Sequence, residues 1–242
     1  RFVPVKSETD FAALVLHRAR DFLVGRVTQR GNAIRAHMAE FGIMPATGSK
    51  RVAGLADKLD ALPEAARPPL RARFDQLAET QARIDRLTDE IEEVHRQNDV
   101  SLRLASIPGV GVLTATAIAA TTPDIGPFSS ARDYAAWLGL PPKQHSTGGT
   151  PRSGGISKMG NRYIRRLLYL GASCRRHASG VMAQIMVRRR SRHPGTDWLS
   201  RKPATKETRV VAIALANRMA RTIYALLRDG TSDRPRVGVM PV

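Results

Sequence analysis

One stretch of this chain is crowded with hydroxyl groups and glycine. From Lys143 it reads Gln144, His145, Ser146, Thr147, Gly148, Gly149, Thr150, Pro151, Arg152, Ser153, Gly154, Gly155, Ile156, Ser157, Lys158, Met159, Gly160, Asn161. Before Met159 only Ile156 is strongly apolar, so the segment cannot build a core and reads as a glycine-hinged loop. The next residues, Arg162 to Ala172, have a helical pattern with Ile164, Leu167, Leu168, Gly171 and Ala172 on one face. Arg162, Arg165, Arg166 and Tyr169 fall on the other, three and four residues apart. A phosphate fits at such a junction, held by guanidinium forks and by free N–H groups at the helix start. Lys143, Gly148, Gly149, Arg152 and Lys158 belong to the same expected contact surface. A serine hydroxyl in that place could attack the phosphate in line, where charge stabilisation matters most in the transition state. Plain phosphate binding without attack fits the same residues.

A second stretch has phosphate chemistry without nucleophiles. Ile107, Pro108, Gly109, Val110 and Gly111 precede an Ala/Thr-rich helical pattern, which resembles a helix-hairpin-helix. Gly109 and Gly111 permit a tight turn and expose backbone N–H groups at the next helix start, suited to one phosphate without reading bases. An ordinary helix–helix turn is the other reading. Arg188, Arg189, Arg190, Ser191, Arg192 and His193 form a basic run before Pro194, read here as a backbone contact. The six histidines lack metal-ligand spacing. His145 beside Ser146 is a weaker candidate for a general base, since sequence neighbours need not touch.

The elements that must carry these residues are helical, and alternation with period two is nearly absent. Ser7 to Asp10 reads as a helix start with capping-box character. Phe11, Leu14, Val15, Arg18, Phe22 and Leu23 then keep a helical face to roughly Phe41, where Gly42 stops it. A short helix is expected near Val52–Leu62. Leu70, Phe74, Leu77, Gln81, Ile84, Thr88 and Ile91 step by four and three over three heptads, which fits a coiled coil or helical hairpin and equally an amphipathic helix packed on its own domain. Ser129 to Asp133 caps a helix ended by Gly139–Pro142, and Thr205–Leu227 is a packing helix. The fold class is therefore all-α, with a helical linker and coiled-coil region over 1–100, a DNA-binding domain over 101–228 and a loose tail over 229–242.

Charge separates along the same line. Residues 1–100 hold 16 Lys/Arg against 15 Asp/Glu, whereas residues 101–228 hold 21 Lys/Arg against Asp124, Asp133, Asp197 and Glu207 alone. With a net charge of +18, that asymmetry attracts polyanions, because each neutralised phosphate releases counterions. Cys174 is the only cysteine, which excludes an internal disulfide or thiolate zinc site and predicts a reducing, cytoplasmic setting. No apolar run approaches the ~18 residues that span a bilayer, so no membrane partner is expected.

Four of these motifs occur in one order in a single family. They are Ile107 to Gly111, Phe128 to Leu140, His145 to Gly149, and Gly155 to Asn161 running on to Arg165–Leu168. The chain resembles the insertion sequence one-ten family of bridge-RNA-guided transposases, in its carboxy-terminal transposase domain and coiled-coil region. Arg1 to Lys6 resembles the segment past that family's first domain, so the likeness runs to about Leu227. The resemblance implies a DNA strand transferase whose amino-terminal resolvase-like domain holds magnesium on an Asp-Glu-Asp-Asp set. It also implies assembly into a homo-oligomer through the coiled coil, and a structured guide RNA pairing with the DNA. It points to Ser146 as the nucleophile, with Thr147 as the alternative, and to Ser153 and Ser157 as loop and cap residues. No such acidic set is visible here, since Glu90, Glu92 and Glu93 read as solvated surface. With no initiating methionine, the chain is expected to be a fragment that binds DNA, holds no cofactor itself and is inactive alone. A non-catalytic helix-hairpin-helix nucleic-acid binder, or a helical assembly factor, are the readings it must be weighed against.

Overall fold

The computed structural model describes residues 5–44, 52, 54–145, 153–187 and 208–230. They form two compact units, Ala12–Glu93 and a second made of Arg1–Phe11 with Val94–Val242. Both are mainly α-helical.

The first unit is a helical hairpin. Helix α1 (Glu8–Glu40) starts where the sequence predicts: Asp10 N–H donates to Ser7 Oγ at 3.1 Å and Ser7 N–H to Asp10 Oδ2 at 3.3 Å. That reciprocal pair satisfies donors the first helical turn leaves orphaned. Gly42 ends α1 with φ +76°, and Ile43 N–H donates back to Met38 O at 3.0 Å. The expected short helix near Val52–Leu62 is instead a 3-10 turn over Ala56–Ala61, followed by another over Glu64–Ala66. Pro63 removes a donor and biases its predecessor to extended backbone, so the tighter, shorter helix wins. Helix α2 (Arg67–Arg96) runs antiparallel to α1, since Arg20 donates to Thr88 Oγ1 at 2.8 Å while Arg30 donates to Thr80. Ile34, Met38, Val52, Leu55, Leu59, Leu62, Leu70 and Phe74 make the core of the closed end. Of the predicted seam, Gln81 is exposed and bonded to Asp85, and Thr80 is buried in its place. Thr80 and Thr88 also return their hydroxyls to Gln76 O and Ile84 O, so this seam is partly polar.

His17 is buried in α1, and desolvation, with Arg20 nearby, pushes its pKa down from 6.5 to about 4. The folded state therefore disfavours the proton, and the unfolded chain binds more protons between those values. The stability present above pH 6.5 is lost as the pH falls toward 4, by on the order of 3 kcal/mol at most. The urea midpoint should drop across that window, and His17→Leu should flatten the drop.

Among the described residues the second unit places five helices around one core. Asn98 caps α3 (Asp99–Ala105) through Ser101 N–H at 2.8 Å. Helix α4 (Val112–Thr121) is buried from Thr114 through Ala120, so it is the central helix, and Thr116 satisfies its hydroxyl on Val112 O at 2.8 Å. Ser130 caps α5 (Ala131–Trp137) by accepting from Asp133 N–H at 3.2 Å. Helix α6 (Arg162–Val187) packs on α4 and on α7 (Thr208–Asp229), and α7 also covers α3 and α5. Leu104, Ile107, Ile118, Tyr134, Leu138, Ile164, Leu168, Leu215 and Met219 fill the space between. Helix α7 is long and apolar enough to cross a membrane by length and composition. Its Leu215, Ala216, Met219, Ala220 and Ile223 are fully buried, so its apolarity is spent on this core.

The fold is mainly all-α as expected, with two short strands beside the helices among the described residues. Strand β1 (Pro142–Gln144) pairs antiparallel with β2 (Ser153–Ile156), with Pro142 opposite Ile156, Gln144 opposite Ser153 and an irregularity between. Neither has an alternating apolar pattern, which is why periodicity does not reveal them.

Candidate nucleic-acid interface

The strand pair is the neck of the glycine–serine loop. Ser146, Thr147, Gly148, Gly149 and Arg152 lie outside the described residues, as do Arg188, Arg189 and Arg190. Lys143 is exposed on β1. His145 is exposed and lies over the backbone of Gly154, where a Cβ would meet its ring at 3.0 Å. The imidazole is therefore stationed at the strand pair. Ser157 is no helix cap: its N–H donates to Pro141 O at 2.9 Å and extends the neck.

Beyond the neck, two turns interlock. Gly139 has φ +72° and ends α5, with Leu140 N–H donating to Ala135 O at 3.2 Å. Gly160 has φ +76° and precedes α6. A Cβ on Gly139 would collide with Met159 O and lie 2.7 Å from Met159 N, while one on Gly160 would collide with Trp137 O. Only hydrogen in both places lets the two backbones touch. Lys158 N–H donates to Gly139 O at 3.2 Å across the contact.

Arg165 fastens the same contact. Its Nη1 donates to Met159 O at 2.7 Å and to Leu138 O at 3.0 Å. The side chain is half-buried, so one arm of the guanidinium faces protein carbonyls. Arg162 is exposed at the first position of α6, and exposed Arg166 stacks over the Tyr163 ring at 5.3 Å. The three arginines thus divide between an outward pair and an inward clamp.

Two of the N–H groups expected to be free at the start of α6 are bonded. Asn161 caps the helix, its Oδ1 accepting from Tyr163 N–H at 2.9 Å and Ile164 N–H at 3.2 Å. Asparagine just before a periodic apolar segment signals such a cap, and the sequence reading passed over it.

Gly109 and Gly111 separate in role. Gly111 is the exposed N-cap of α4, has no side-chain cap, and meets nothing within 4 Å of its Cβ position. Gly109, with φ +94°, lies on α6 against Gly171 O, 3.0 Å from its Cβ position, and Met219 Cε, 3.2 Å away. Its small size serves packing.

Charge on this unit is one-sided. No Asp or Glu occurs between Asp133 and Asp197, so Lys143, Lys158 and Arg162 have no acidic neighbours close in sequence. Among the described residues no three His, Cys, Asp or Glu side chains come together to hold a metal ion. These residues do not fit a magnesium ion. Two exposed apolar side chains also sit at the interlock, Trp137 and Met159, which sequence reasoning did not single out. The signal available was a methionine inside an otherwise polar loop.

Residues 101–186 match the family described as Transposase IS116/IS110/IS902. The chain is 38% identical to a putative transposase, y4pF/y4sB, of Sinorhizobium fredii, over 98% of this chain and 60% of that protein. It is 38% identical to a probable family 20 transposase of Pseudomonas aeruginosa, over 97% of this chain and 69% of the relative. With the transposase for insertion sequence element IS1328 of Yersinia enterocolitica it shares 33% identity, over 95% of the chain and 67% of the relative. The chain belongs to the IS116/IS110/IS902 family of transposases. It spans about 60% of the length of the Sinorhizobium relative.

Proposed function

We propose that this chain is the DNA-handling part of a transposase and presents Ser146 as the nucleophile for strand cleavage and transfer. The supporting observation is the braced neck: β1 and β2 pair on either side of the hydroxyl-rich segment, which carries no acidic residue and runs on in sequence to the exposed Arg162 and Arg166 of α6. In the step itself, Ser146 Oγ forms a bond to phosphorus and one bridging P–O bond to sugar breaks. The serine proton leaves to a base, and the departing sugar oxygen gains a proton. Lys143, Lys158 and Arg162 attract the backbone and offset charge on the phosphoryl oxygens. Magnesium belongs, in this reading, to an acidic domain outside this chain, and a structured RNA guides the DNA as the family resemblance implies.

Trapping a covalent protein–DNA adduct in the complete, RNA-loaded transposase tests the assignment. Ser146→Ala should abolish the adduct, while Thr147→Ala should leave it. The reverse pattern moves the nucleophile to Thr147. Adduct surviving both changes would remove catalysis from this loop and leave a non-catalytic nucleic-acid binder.

Salt dependence separates the arginines. Arg162→Ala should lower the slope of log affinity against log salt by about one, the signature of a lost phosphate contact. Arg165→Ala should weaken binding with little change in slope, because its bonded arm holds Leu138 O and Met159 O. Equal slope changes would mean that Arg165 also reaches phosphate.

A further inference from the structure

Trp137 is 37% exposed and Met159 is 69% exposed, and their backbones meet at the Gly139–Gly160 interlock. One exposed methionine on a loose loop would need no explanation. This one is fixed from several sides: Ser157 N–H on Pro141 O, Lys158 N–H on Gly139 O, and Arg165 Nη1 on Met159 O. Lys158 itself has φ +58°, alone among the described non-glycine residues in having positive φ. A lysine there carries strain, and strain of this kind persists where the surroundings over-determine the backbone. The result is a rigid tip that holds a cation and an apolar side chain outward together.

The surroundings state what the tip meets. Lys143, Lys158 and Arg162 are exposed, and no acid interrupts the segment, so the field selects a polyanion. A phosphate gives a methionine nothing to bind. The apolar surface in a nucleic acid is the face of a base, reached in a duplex by unstacking a step. Methionine is among the side chains that wedge into base steps from the minor groove and kink DNA, and its flexible, polarizable thioether adapts to the gap. Unpaired RNA bases stack on free aromatic planes, whereas the Trp137 ring is already packed against Phe128 and Tyr134 and the side chain that projects furthest is the thioether of Met159, which favours duplex DNA here.

We propose that the interlocked double turn is a DNA-kinking wedge, in which Met159 enters a base step, Trp137 covers the opened edge, and Lys158 and Arg162 hold the flanking phosphates. The proposal rests on the DNA-binding reading above. The full chain would be titrated onto duplexes carrying 2-aminopurine, which brightens on unstacking, and a donor–acceptor dye pair on the two ends, which reports bending. Wild type should brighten the probe and bring the ends together. Met159→Ala should lose both signals and bind about tenfold more weakly, with an unchanged salt slope and melting temperature. Met159→Leu should keep the bend. Wild type that binds yet leaves the duplex straight and stacked, or Met159→Ala that kinks as wild type does, overturns the wedge while leaving DNA binding intact. Absence of any DNA binding by wild type removes the DNA reading and the wedge with it. Tighter binding to an RNA hairpin of matched sequence, with no response from the DNA duplex, also overturns the proposal.

Discussion

Gly171→Ala is expected to destabilise the second unit by about 3 kcal/mol or more, although alanine is the better helix former. Within an exposed helix the change would gain about 1 kcal/mol. At Gly171 the added Cβ would collide with Gly109 O and lie 3.1 Å from the carbonyl carbon. The turn that carries Gly109 has nowhere to retreat, because Ile107 and Val110 are buried on either side and Val110 N–H is bonded to Ile107 O at 2.9 Å. Overpacking against fixed backbone lies at the costly end of such substitutions, so the clash outweighs the propensity gain. For a unit of this size the melting temperature should fall by about 10 °C, or the protein should fail to accumulate in soluble form. Gly25→Ala is the matched control, since Gly25 lies in helix α1 with nothing within 4 Å of its Cβ position. It should hold or raise the melting temperature. If Gly171→Ala also raises it, the contact between α6 and the turn is looser than described.

That contact explains which features were legible in the sequence. Helix starts and stops are local, so Ser7 with Asp10, Gly42, Ser130 with Asp133, and Gly139 all announced themselves within a few residues. The apolar face of Ile164 and Leu168 was readable for the same reason. Gly109 and Gly171 are far apart in the chain, and nothing in either neighbourhood names the other. The glycines at 109 and 111 looked alike in sequence, yet one packs on a helix and the other faces solvent. Arg165 likewise reads as one more cation on a basic helix until Leu138 O and Met159 O are seen beneath it. The strands were hidden because three or four residues of proline, lysine, glycine and serine carry no alternation to detect. The resemblance to a transposase family supplied order to motifs whose individual chemistry left phosphate binding and nucleophilic attack both open.

Gly160→Ala should separate the braced neck from the core. Two costs coincide at this position. With φ +76°, an alanine pays roughly 1 kcal/mol or more for left-handed backbone. Its Cβ would also strike Trp137 O and sit 3.0 Å from the carbonyl carbon. Relief is available on one side only. Trp137 belongs to a packed aromatic group, its ring 5.3 Å from Phe128 and 5.7 Å from Tyr134, so the 158–160 turn is the partner that moves. Asn161 would then lose its place as the cap of α6, and Lys158 its bond to Gly139 O. Local opening is therefore expected before global unfolding. Hydrogen exchange should speed up at the amides of Ser157, Lys158 and Tyr163, while buried α4 amides stay protected. Gly155→Ala, on β2 with nothing within 4 Å, should leave exchange at those amides unchanged. Uniform loss of protection through α4 would instead mean that the interlock supports the whole core. Because the change acts through the backbone, strand cleavage by the complete transposase should fall in Gly160→Ala even with every loop hydroxyl and arginine present, which distinguishes a positioned nucleophile from a loop that needs only its composition.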